Sequence, residues 1–191
     1  MIKVLRFAMT CTLATFVATM AVAAFNPTPD FTKGDPEKGK VVFQRIGNCV
    51  NCHGWAGDGK AGRNPLSHAI GANIRETKLD PRGLYDVIRC GLPGTQMPYH
   101  DQVSYKDDRC FGLTMKDFAQ GAEPVRGKTM REAQMVDLIA YLEKYMIGHG
   151  APNYEECVLY FGGSADKSCA AFKGNCVYLC AYVCLKDRES V

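Results

Sequence analysis

The chain of 191 residues carries 23 Lys and Arg against 20 Asp and Glu, a formal net charge of +3, together with ten cysteines. A charge so near balance excludes a nucleic-acid binder, which needs a concentrated basic field to engage phosphates. The length suits one compact domain with a small appendage, and the cysteine count suits an oxidising compartment where disulfides persist.

Residues 1–24 have the layout of a secretory signal peptide. Lys3 and Arg6 precede an uncharged apolar run, and Ala21-Val22-Ala23 and Val22-Ala23-Ala24 offer small-residue cleavage sites. The competing reading, a retained membrane anchor, calls for a longer apolar run. Removing residues 1–24 takes away two basic residues and no acid, leaving a mature charge of +1. No later segment is long and apolar enough to span a bilayer. The expected product is an exported, periplasmic chain without a membrane span.

Residues 25–34 read as a proline-spaced linker. Asp35 then caps a helix expected over roughly 36–46, with Pro36 at its first position, where a missing N–H costs nothing, and Gly47 at its end. Directly after it comes Cys49-Val50-Asn51-Cys52-His53. Residues 54–73 are rich in Gly and turn formers and read as loop. A second Asp-Pro pair, Asp80-Pro81, opens a helix in which Leu84, Val87 and Ile88 share a face and Gly91 supplies the stop. The third helix is expected over 129–147, with Thr129 and Glu132 as a capping box. Its apolar stripe is Met135, Leu138, Ile139, Leu142 and Met146, and Val42, Phe43 and Ile46 of the first helix offer a facing surface. No strand pattern, internal repeat or low-complexity tract is present. The expected fold class is all-α: a helical domain over 35–147 and a disulfide-stapled C-terminal extension over 148–191.

Two cysteines three apart with a histidine following permit several chemistries. In haem c attachment the thiols add across the vinyl groups and the adjacent imidazole becomes an axial iron ligand. Zinc would need a second ligand pair at suitable spacing, and no later Cys-x-x-Cys occurs. A thioredoxin-like dithiol calls for a βαβ setting that is missing here. Haem is the reading that the preceding helix and the later loop agree with.

The stretches "DPEKGKVVFQRIGNCVNCHGWAGDGKAG", "NPLS" and "ANIRETKLDPRGLYDVIRCGLPGTQMPYHD", followed by the 129–147 helix, resemble a class I c-type cytochrome over about residues 33–147. The resemblance implies crossed N- and C-terminal helices around one haem c held by Cys49 and Cys52, with His53 and Met97 as iron ligands. Met97-Pro98 lies 44 residues after His53, in a loop shaped by Pro93, Gly94 and Pro98. His100 is the rival sixth ligand; His68 and His149 read as surface residues. The resemblance also places the Pro65 carbonyl on the ring N–H of His53 and Arg75 near a haem propionate, although a solvent-exposed arginine reads equally well. Trp55 and Tyr99 either line the haem pocket or pack ordinarily.

Setting aside Cys11, Cys49 and Cys52 leaves Cys90, Cys110, Cys157, Cys169, Cys176, Cys180 and Cys184. Cys90 and Cys110 bracket the Met97 loop and are either bridged, which is the expectation, or separate buried thiols. The other five cannot all pair among themselves.

With both axial positions taken by protein, the iron is left with one-electron exchange rather than enzymatic turnover. The resemblance therefore implies an electron carrier whose partners are a dehydrogenase or quinol-oxidising complex and a terminal acceptor. Two other readings stay open. One is a fixed haem subunit of a larger respiratory or dehydrogenase assembly docked through 148–191. The other is a haem enzyme or gas sensor in which Met97 is displaced.

Overall fold

The computed structural model describes residues 28–60 and 71–161. Among these residues the regular structure is helical, with two isolated β-bridges, Tyr99 with Arg126 and Cys110 with Leu113, and no named strand. The signal segment, Pro65, His68 and the cysteines from Cys169 onward lie outside the described residues.

Helix α1 spans Pro36–Val41 and runs on as a π-helical turn over Val42–Ile46. The Asp35 carboxylate accepts from the N–H groups of Glu37 and Lys38, as the Asp-Pro pair predicts, and Gly47 N–H closes the wide turn onto the Val42 carbonyl at 2.8 Å. Helix α2, Val50–His53, is a single turn that carries the cysteine motif. Helix α3, Pro81–Cys90, is capped by Asp80, whose side chain accepts from Gly83 N–H at 2.7 Å, and ends at Gly91 with φ +65°. Leu84 and Ile88 of α3 enter the core, while Val87 is half-buried.

Helix α4 is Glu132–Tyr145, so it starts later than expected, and Thr129 and Glu132 do not form its box. Instead the Arg131 N–H donates to Gln134 Oε1 at 2.9 Å. The reason is tertiary: Met130 N–H is drawn onto the His100 carbonyl at 2.8 Å, which holds the chain extended up to that point. The predicted stripe is otherwise correct. Met135, Leu138, Ile139, Leu142 and Met146 are all buried, against Val42 and Phe43 of the first helix and Leu84 and Ile88 of α3.

The crossing of α1 over α4 depends on Gly39. A Cβ there would lie 2.0 Å from the Asp137 carbonyl oxygen and 2.6 Å from Tyr141 Cβ, so the two backbones touch where only hydrogen fits. Polar contacts pin the same crossing: Asp35 N–H donates to Asp137 Oδ1 at 2.8 Å, and the Tyr145 hydroxyl donates to Glu37 Oε1 at 2.8 Å.

Between α3 and α4 the chain is irregular and builds a second small core. Cys90 and Cys110 are bridged, and both are essentially inaccessible to solvent. Tyr99 and Tyr105 pack around the bridge, and Phe118 stands edge-on to Tyr105 at 5.5 Å. The Tyr105 hydroxyl donates to the Cys90 carbonyl at 2.7 Å, so the ring is tied to the end of α3 as well.

Helix α5, Tyr154–Phe161, belongs to the C-terminal extension. It rests on the main domain: Lys40 Nζ donates to the Leu159 carbonyl at 2.9 Å and sits over the Tyr160 ring, and the Trp55 and Tyr160 rings lie 5.6 Å apart. Residue 148 marks a change of composition without a break in packing.

Candidate haem site

The motif sits at a point where the backbone is turned sharply. Asn48 adopts φ +54° between the π turn and α2, a conformation asparagine tolerates better than most residues. Helix α2 then closes with His53 N–H on the Cys49 carbonyl at 2.9 Å, and Gly54 at φ +76° ends it after one turn. Residues three and four apart are neighbours on a helix surface. Cys49, Cys52 and His53 therefore emerge from one side of one turn, the spacing needed to grip a porphyrin edge and bring an imidazole to its metal.

The donors suit haem better than the rival chemistries. Before any attachment, burial against the core pushes the pKa of the Cys49 thiol up to about 12. A redox dithiol wants the opposite, a thiol lowered toward thiolate. No group of three or more His, Cys, Asp and Glu able to hold a metal occurs among the described residues, so no zinc site is assembled there.

The imidazole is oriented. His53 Nδ1 lies 2.8 Å from the Ala72 carbonyl oxygen, an arrangement that places the proton on Nδ1 and leaves Nε2 as the lone-pair nitrogen. Burial lowers the pKa of His53, opposed in part by the Ala72 contact, which favours the neutral form that binds metal. The partner of Nδ1 in this structure is thus Ala72, where the sequence pointed to Pro65. Nothing local to the motif identifies Ala72, because residues 61–70 separate the two.

Glycines make room on both sides. A Cβ on Gly71 would fall 2.6 Å from His53 Nδ1, and one on Gly47 would fall 2.8 Å from Cys49 Sγ and 2.5 Å from Met130 Cε. The backbone passes close against the imidazole on one side. At Gly47 the Met130 thioether methyl and Cys49 Sγ both crowd the space a side chain would take, and sequence periodicity did not single out Met130.

Met97 is half-buried in a loop braced by its own backbone: Leu92 N–H donates to the Met97 carbonyl at 3.1 Å, and Met97 N–H donates to Thr95 Oγ1 at 3.1 Å. Gly91 permits the loop to fold back, since a Cβ there would meet the Met97 oxygen at 2.7 Å. His100, its rival, is packed into the protein. It is buried, with Nδ1 2.7 Å from the Lys128 carbonyl oxygen and its ring against Gly127. Trp55 is buried beneath α5, and Tyr99 belongs to the disulfide core.

Arg75 differs most from expectation. Its side chain is 2% exposed, and its guanidinium donates to protein oxygens: Ala56 O at 3.1 Å, Glu156 Oε1 at 2.9 Å and the Gly150 carbonyl. A propionate contact finds no support in that arrangement. Glu156, its ion-pair partner, lies 81 positions along the chain, and no sequence signal connects the two.

A helical domain that presents two thiols and an oriented imidazole from one turn has the donor set that a covalently attached haem c requires. Residues 34–110 match the family model described as "Cytochrome C oxidase, cbb3-type, subunit III", a match that supports a class I c-type cytochrome domain and implies covalently bound haem c. No curated protein and no solved structure matches the chain.

Haem c supplies a one-electron Fe(III)/Fe(II) couple when bound. The family match supports an electron-transfer role for that couple, in which Cys49 and Cys52 would hold the group and His53 would ligate its iron.

Proposed function

We propose that the protein is an exported, periplasmic one-electron carrier in which Cys49 and Cys52 hold the haem and His53 and Met97 ligate its iron. It takes electrons from a dehydrogenase or quinol-oxidising complex and passes them to a terminal acceptor, with redox proteins as its partners. The observation that carries this reading is the single turn of α2, which sets Cys49, Cys52 and His53 side by side with Nδ1 of the imidazole already engaged. Met97 enters through its braced loop and through the burial of the His100 ring against Gly127. Neither filled axial position leaves room for a substrate, which favours carrying over catalysis. Among the described residues no helix is long and apolar enough to cross a membrane.

The test is spectroscopic. The ferric protein is expected to show the weak near-infrared sulfur-to-iron band, Met97→Ala to lose it, and the ferrous Met97→Ala protein to bind carbon monoxide. A wild-type protein without that band rules out Met97 as ligand.

The second reading, a fixed haem subunit, draws on the matched family description, which names an oxidase subunit. Size exclusion of native extracts separates the two. Elution near the 21.0 kDa of the chain supports the carrier, and persistent co-elution with a large complex supports the subunit.

A further inference from the structure

Four hydrogen bonds surround the imidazole of His53. Gly59 N–H donates to the His53 carbonyl at 3.0 Å and Gly71 N–H to the Cys52 carbonyl at 2.8 Å. Ile74 N–H donates to the Gly57 carbonyl at 2.7 Å, and Ala72 O meets Nδ1. The loop leaving His53 and the segment returning past it are thus stitched into one frame. The carbonyl that orients the ring is part of that frame.

Arg75 closes it. The residue lies in a 3-10 turn, Ile74–Glu76, capped by the Asn73 side chain, immediately after Ala72. Its guanidinium reaches across to Ala56 in the outgoing loop, and its own carbonyl accepts from Gly148 N–H at 3.0 Å. The remaining contacts go to the C-terminal extension, at the Gly150 carbonyl and at Glu156 on α5, where His149 Nδ1 also lies 3.3 Å from Glu156 Oε1. Removing one partner of a buried ion pair leaves the other charged and poorly solvated, so these contacts act as a unit.

We propose that Arg75 is a positioning residue for the axial histidine, and that residues 148–161 form a strap which, through Glu156, holds residues 56–59 and 71–74 against His53. The first part of the C-terminal extension then serves the haem site of its own chain. This rests on His53 being the ligand. A lysine cannot replace the guanidinium, because three acceptors in different directions need its planar fork.

The test uses the full-length, haem-loaded protein and its ferrous nitric oxide adduct, in which a loosely held axial histidine leaves and the adduct becomes five-coordinate. Outer partners of a metal-bound histidine are typically worth about 10–100-fold in affinity. Acting one contact further out, Glu156→Gln and Arg75→Lys should each raise the ratio of five- to six-coordinate adduct about tenfold, the lower end of that range. Arg75→Ala should raise it more, and the two milder variants keep the test alive if it does not fold. Ratios that stay at the wild-type value while thermal stability drops would make Arg75 a merely structural strut and overturn the proposal. A His53→Ala protein with the adduct spectrum of the wild type would instead refute the ligand assignment beneath it.

Discussion

Gly39→Ala puts two effects in direct opposition. By helix propensity alone alanine is favoured over glycine by about 1 kcal/mol in a helix interior. At this position, however, the added Cβ would sit 2.0 Å from the Asp137 carbonyl oxygen and 2.6 Å from Tyr141 Cβ, against an ordinary contact of 3.4–4 Å. The obstructing oxygen is backbone within α4, so no rotamer change relieves it, and α1 must move off α4 by more than 1 Å as judged from those distances. That movement stretches the Asp35–Asp137 hydrogen bond and loosens Val42 and Phe43, which lie in the main core. Overpacking costs about 1–3 kcal/mol where side chains can yield, and more where they cannot. We expect a net loss of about 3 kcal/mol, a fall of about 10 °C in Tm for a domain of this size. The assay is thermal unfolding of the haem-loaded protein by far-UV circular dichroism. Gly94→Ala is the control: Gly94 is exposed at φ +78° with nothing within 4 Å, so it should lose only about 1–2 kcal/mol from the left-handed backbone. A Gly39→Ala protein as stable as wild type, or more so, would show that the crossing is not close-packed as described.

Three further outcomes follow from the same contacts. Replacing Cys90 and Cys110 together by alanine should lower stability by roughly 3 kcal/mol, from the loop entropy the bridge removes, while haem attachment at Cys49 and Cys52 persists; denaturant titration and haem-stained gels check both. His100 is held neutral by burial, opposed in part by the Lys128 carbonyl, so its folded pKa lies below the unfolded value of about 6.5. The unfolded chain therefore takes up the proton first, and stability present above about pH 6.5 is lost as pH falls through the window below it; His100→Gln should flatten that slope in denaturant titrations across the window. Asp107, held by Arg109, should titrate at about 2, and by NMR should return toward the usual carboxylate value in Arg109→Gln.

The structure rewards local reading where the cause is local. Asp35-Pro36 and Asp80-Pro81 start helices because a carboxylate and a proline act within one turn, and both caps form as expected. The same local logic failed at Thr129, where a hydrogen bond from Met130 to His100 overrode a plausible capping box. The π turn before the cysteine motif had no sequence signal, since a change from i+4 to i+5 pairing alters no residue pattern.

What the sequence by itself determined was the three longer helices of the main domain, their apolar stripes and the haem motif, with the Cys90–Cys110 bridge as the favoured pairing, because each is written in spacings of a few residues or in cysteine bookkeeping. Only the tertiary structure decided that Ala72 meets the His53 ring, that Gly39 is the crossing point, and that Arg75 turns to Glu156. Those partners lie 19 to 102 positions apart. Their meeting is set by how the helices pack, and a short window of sequence contains no record of that.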